Sequence, residues 1–213
     1  MRTIRYTLLS DGSSDKMLMP IIEWLLYQHC PEIAVAPSWA DLRKLAQPPK
    51  TLPGKIAVAL DLYPCDLLFV HRDAERESYA IRHAEIYREL DGLATPPAVC
   101  IIPVRMLEAW FLFDELAIRK AAGNPHGHNF LTLPNINLLE NLPDPKNLLF
   151  DLVKDSSGLS RVRLKRLKPH KCAFLVSQLI DDFSPLRSIH AFQSLELELV
   201  ATLMGHGWKI ETS

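Results

Sequence analysis

The strongest constraint on this chain is a local pattern that occurs at three places. A short run is apolar throughout, stops at a polar stretch carrying acids, and is followed by residues of helical periodicity. Ile4–Ser10 (IRYTLLS) stops at Asp11-Gly12-Ser13-Ser14-Asp15, and Met17, Leu18, Ile21, Ile22, Leu25 and Leu26 then predict a helix over 15–28. Cys65–Val70 (CDLLFV) enters His71-Arg72-Asp73-Ala74-Glu75-Arg76-Glu77, ahead of a helix over 79–90. Ala98–Val104 (AVCIIPV) precedes Glu108, in a helix predicted over 107–122. Strands that are apolar on both faces and alternate with helices belong in a parallel sheet covered on both sides. The first half is therefore α/β, with a further short strand over 33–37.

Pro48, Pro49 and Pro53 leave room only for short helical pieces between Asp41 and Lys55. Residues 123–145 are rich in Gly, Asn, His and Pro and read as a loop. Helices are predicted over 145–154, over 161–180 with a break at Pro169, and over 190–204. The expectation is one domain: an α/β core over 1–122, a loop-rich connection over 123–145 and a helical C-terminal part over 146–213.

The 24 Lys and Arg against 25 Asp and Glu give a net charge of −1, which excludes a histone-like polycation. No uncharged apolar run reaches 18 residues, and Met1–Ser10 lacks the small-residue cleavage site of a signal peptide, so a cytoplasmic protein without membrane contact is expected. Cys30, Cys65, Cys100 and Cys172 form no C-x-x-C pair and read as reduced, mostly buried thiols. His126 and His128, with no third ligand nearby, read as surface residues. No phosphate-binding glycine loop or nucleophile elbow occurs, so nucleotide hydrolysis would have to come from another chain.

In an open parallel sheet, ligands bind beyond the carboxyl ends of the strands. Asp11, Asp15, Asp73, Glu75 and Glu108 all belong to that rim. Clustered carboxylates repel one another unless a cation joins them, and oxygen ligands of this kind suit Mg²⁺ or Mn²⁺. Each acid also has a local role open to it. Asp11 and Asp15 suit a turn and a helix cap, and Asp73, Glu75 and Glu108 suit acidic first turns. The only dense basic tract is Arg161, Arg163, Lys165, Arg166, Lys168 and Lys171, readable as a phosphate-tracking patch or as a solvated helix face.

Asp11-Gly12-Ser13-Ser14-Asp15-Lys16 between an apolar strand and an apolar helix resembles the Glu-Gly-x-x-Asp/Glu motif opening TOPRIM domains, particularly those of OLD-family nucleases. Asp73-Ala74-Glu75 resembles the Asp-x-Asp motif of that fold. Met106-Leu107-Glu108-Ala109-Trp110 is similar to the segment with the third acid in OLD-type domains and in small stand-alone TOPRIM-like proteins. Lys168-Pro169-His170-Lys171 is similar to their late lysine segment. Asp11 stands where the family usually has Glu, and Glu75 where it usually has Asp.

The resemblance implies a TOPRIM-like Rossmannoid fold and a Mg²⁺- or Mn²⁺-dependent endonuclease. Asp11, Asp73, Glu75 and Glu108 would surround the metal, with Asp15 as an outer member. Lys171, or else Lys168, would neutralise the phosphate. The implied substrate is nucleic acid, DNA before RNA, and the implied setting is prokaryotic phage defence beside an ATPase partner. The alternative it leaves is a non-catalytic, TOPRIM-derived binding subunit of an ATPase-containing complex.

Overall fold

The structure is a computed structural model and describes residues 2–209. Met1 and residues 210–213, the outer ends of the expected core and C-terminal part, lie outside the described residues. Four parallel strands, β1 (Thr3–Leu9), β2 (Ala34–Ala40), β3 (Leu67–His71) and β4 (Ala98–Ile101), form one sheet in the order β2-β1-β3-β4. The register pairs Leu9 with both Ala40 and Val70, and Val70 with Cys100, so the four strand ends lie side by side.

The sheet is buried on both faces, as the uniformly apolar runs require. Ile4, Tyr6, Leu8, Leu67, Phe69, Val99 and Ile101 point to one side. There they meet α1 (Met19–His29), α4 (Glu115–Ala121), α5 (Pro145–Ser156), α7 (Pro169–Leu179) and α8 (His190–Gly205). Leu9, Leu68, Val70 and Cys100 point to the other side, against α2 (Leu52–Leu62) and α3 (Tyr79–Leu90). The C-terminal helices thus share one apolar cluster with α1 and the sheet. Among the described residues, no helix is long and apolar enough to cross a membrane. The four cysteines are unpaired and three are buried.

Three predicted elements differ from those observed. The proline-rich stretch leads into α2, an 11-residue helix. Pro53 lies in its first turn, where a missing N–H costs nothing, and the Thr51 hydroxyl accepts the Gly54 N–H at 3.3 Å. Thr51→Ala is expected to cost about 1 kcal/mol in a urea melt, and a loss below about 0.3 kcal/mol would refute the cap.

The helix expected over 107–122 is two pieces, a 3₁₀ turn over Leu107–Phe111 and then α4. Asp114 divides them by accepting the Ala117 N–H at 2.9 Å, which starts a new helix. The helix expected from residue 15 begins as a 3₁₀ turn over Asp15–Leu18 before α1. The break at Pro169 separates α6 (Arg161–Leu164) from α7.

Candidate functional site

The order β2-β1-β3-β4 places the chain's change of direction between β1 and β3, since β2 lies outside β1 and β4 outside β3. A crevice opens at such a switch point. It has a volume of about 260 Å³ and is lined by Asp11, Asp15, His71, Asp73, Glu75 and Arg82, among others.

The first loop is shaped around Asp15. The Gly12 N–H donates to Asp15 Oδ2 at 2.6 Å and the Ser14 hydroxyl to Oδ1 at 3.4 Å, which holds the buried carboxylate over the crevice. A Cβ on residue 12 would meet Asp15 Oδ1 at 2.5 Å, so only glycine allows this approach.

His71, the last residue of β3, is buried and donates Nδ1–H to the Ile101 carbonyl at 3.0 Å. Its Nε2 edge therefore faces the carboxylates, 3.9 Å from Asp15 Oδ2 and 3.8 Å from Asp73 Oδ1. Among the described residues, the buried Asp73 Oδ1 accepts no hydrogen bond. Burial pushes the Asp73 carboxyl up to about 6; His71 and the Leu107 backbone N–H work against that shift, while Asp15 and Glu108 add to it.

The remaining predicted acids are placed differently. Asp11 is exposed and paired with Lys55 Nζ of α2 at 2.5 Å. Glu75 is also exposed and takes a left-handed backbone (φ 56°). Among the described residues, the only other non-glycine with positive φ is Arg105 (φ 67°), between the end of β4 and Glu108. Both strained residues line one cleft with Asp73 and Arg82, so the strain sits at the rim. Glu108 is buried and meets Lys146 Nζ at 3.1 Å.

Glu108, Lys146 and the predicted Lys171 line an adjoining cavity of about 590 Å³, with Ser14 common to it and the crevice. Lys168 caps α7 outside both. The six basic residues from Arg161 to Lys171 are exposed, and among the described residues none of them forms an ion pair. His126 and His128 are exposed.

The structure adds four residues to those expected: Lys55, His71, Arg82 and Lys146. Arg82 is largely buried, pairs with Glu85 at 2.6 Å, and keeps its Nε without a partner. The predicted acids gather at one rim, yet they do not close on a single point. Among the described residues, the only three metal-type side chains with donor atoms all within 4.8 Å are His83, Cys100 and Glu198, away from this crevice.

Comparisons of the chain with models of known protein families, with curated proteins and with solved structures gave no match.

Proposed function

We propose that this protein is a TOPRIM-type, metal-dependent nucleic-acid phosphodiesterase whose chemistry takes place at the β1/β3 crevice. The observation that carries the reading is Asp73 Oδ1, a buried and unpartnered carboxylate oxygen beside Asp15, with Glu108 close enough to raise its affinity for protons. An oxygen so placed fits a hard divalent ion, which would relieve the repulsion. Asp73 would hold Mg²⁺ or Mn²⁺ directly, and Asp15, Glu108, Asp11 and Glu75, which do not close on one point, would reach the ion through its bound waters. When bound, such an ion polarises a phosphoryl oxygen and lowers the pKa of a water.

The remaining work falls to the chain's own groups. The unpaired Arg161–Lys171 strip draws the phosphate backbone towards the rim, and Lys171 and Lys146 offer point charges to a phosphate at the mouth of the adjoining cavity. Arg82, which lines the crevice, adds a positive charge there. His71, oriented by the Ile101 carbonyl, presents its Nε2 edge to Asp15 and Asp73 at 3.9 and 3.8 Å.

The test is cleavage of plasmid and RNA in Mg²⁺ or Mn²⁺ by the wild type, Asp73→Ala and Glu108→Ala. Loss of cleavage in both variants supports the site. Cleavage that persists in both removes it.

A second reading, a non-catalytic TOPRIM-derived subunit that binds nucleic acid or an ATPase partner in phage defence, is favoured by one specific observation. Asp11 and Glu108 are already neutralised by Lys55 and Lys146 of the same chain. Salt-dependent binding by wild type without cleavage in either ion would select it. On both readings, the triple change Arg161→Ala, Arg163→Ala and Arg166→Ala should flatten the dependence of log K on log salt by up to about three, near one for each lost phosphate contact. An unchanged slope would show that the strip does not touch phosphate.

A further inference from the structure

Away from the rim, three elements converge at the outer edge of the sheet. β4 pairs only with β3, so the Cys100 N–H points outward, where it donates to Glu198 Oε1 of α8 at 2.7 Å. The same oxygen accepts the Tyr87 hydroxyl of α3 at 3.0 Å. Glu198 Oε2 is left to face His83 Nε2 at 3.1 Å.

The imidazole is held by stacking, with Tyr79 5.6 Å away on a nearly parallel plane and Tyr87 4.5 Å away. The Cys100 side chain is fully buried, and its Sγ lies within 4.8 Å of donor atoms from both His83 and Glu198. The three donors therefore come from a helix, a strand and a second helix, and two of them, His83 and Glu198, are oriented by neighbouring groups.

We propose that His83 Nε2, Cys100 Sγ and Glu198 Oε2 form a binding site for a borderline-soft divalent ion of the zinc class. Zinc takes thiolate sulfur at about 2.3 Å and imidazole or carboxylate donors at about 2.0–2.2 Å, which sets neighbouring donors roughly 3.3–3.7 Å apart. The 3.1 Å between His83 and Glu198 is close to that spacing. Binding releases the Cys100 thiol proton to solvent and moves the imidazole proton to Nδ1, leaving Nε2 as the ligand atom. The Tyr87 hydroxyl and the Cys100 N–H stay on Oε1 and fix the carboxylate from outside the ligand set. The His83 side chain is 34% exposed, so an ion reaches the site from that side and solvent keeps the fourth position. A thiolate ligand selects against Mg²⁺, so this site and the carboxylate rim take different ions. Bound here, the ion ties α3 and α8 to the open edge of β4.

The experiment is titration of the chelator-treated, full-length protein with Co²⁺, followed by competition with Zn²⁺. One equivalent of Co²⁺ is expected to give a near-ultraviolet thiolate charge-transfer band that Zn²⁺ displaces and that Cys100→Ser abolishes. Tyr87→Phe should keep the band while weakening affinity about 10- to 100-fold. Asp73→Ala should leave it unchanged, which separates this site from the proposed nuclease rim. Should Cys100→Ser fail to fold, His83→Ala changes a partly exposed residue and is expected to weaken Co²⁺ binding by more than Tyr87→Phe does. Absence of the band in the wild type overturns the proposal, and so does a band that survives at full affinity in either Cys100→Ser or His83→Ala. In either case the three side chains would be only a hydrogen-bonded anchor for α8.

Discussion

Asp73→Asn is expected to make the protein more stable and, on the proposed function, inactive. In the absence of metal, burial and the neighbouring Asp15 and Glu108 outweigh His71 and raise the Asp73 carboxyl from an ordinary 3.8 to about 6. A tenfold change in proton affinity is worth about 1.4 kcal/mol, so the ionised form costs the folded state at most about 3 kcal/mol. The side chain is 31% exposed, and solvent screening lowers that figure.

The sign follows from linkage. Below pH 3.8 the group is protonated in both the folded and the unfolded chain and contributes nothing. Between pH 3.8 and about 6 the unfolded chain ionises first, so stability falls as pH rises; above about 6 the penalty is complete. Urea melts in chelator should therefore show the Asp73→Asn variant more stable than wild type at about pH 8, by roughly 1–3 kcal/mol, with the advantage fading on acidification and gone below about pH 4. A variant less stable at that alkaline pH would show that Asp73 is satisfied in the fold. Losing a neighbour of a metal ligand typically costs about 10- to 100-fold, so losing the ligand itself should cost at least about a hundredfold in cleavage. Stability stored against function in this way is characteristic of active sites.

The largest loss of stability is expected from Trp110→Ala. Trp110 is fully buried, and its indole meets Phe192 of α8 edge to face at 5.5 Å, so it joins the 3₁₀ turn of Glu108 to the C-terminal helices. Truncating a buried tryptophan costs about 3–5 kcal/mol, a large part of the roughly 5–15 kcal/mol typical of a domain. The midpoint of thermal unfolding should fall by roughly 8–15 °C. Trp110→Phe should cost far less, because it keeps an aromatic ring and discards an indole N–H that has no partner. Equal losses for the two changes would mean that the N–H, and not the ring, is what matters there. Glu108 lies two residues earlier in the same turn, so Trp110→Ala should also weaken any metal-dependent activity before the protein unfolds.

How much of this was legible in the chain can be judged from individual residues. Three of the four parallel strands and the placing of Asp15, Asp73 and Glu108 at one rim followed from apolar runs ending in acids, because every βα connection of a parallel sheet leaves its strand at the same end. Lys55 was hidden because Pro48, Pro49 and Pro53 read as breakers, although proline in a first turn starts a helix instead of stopping one. His71 read as the first residue of a polar loop, and its burial depends on the 3₁₀ turn of Asp15 folding over it. The division of the helix expected over 107–122 rested on one cap, Asp114, inside an otherwise helical pattern.

Periodicity and turn chemistry act between residues about four apart, so they could establish strands, most helices and the end of the sheet at which the acids stand. Which cation meets which acid is another kind of question. Lys55 reaches Asp11 across 44 residues, and the backbone N–H of Cys100 reaches Glu198 across 98. Such pairings depend on strand order and on which face of the sheet each helix covers. Neither leaves a mark on the local pattern, so packing alone determined that two acids of the rim, Asp11 and Glu108, carry lysine partners and that a histidine, a cysteine and a glutamate meet at the outer edge of β4.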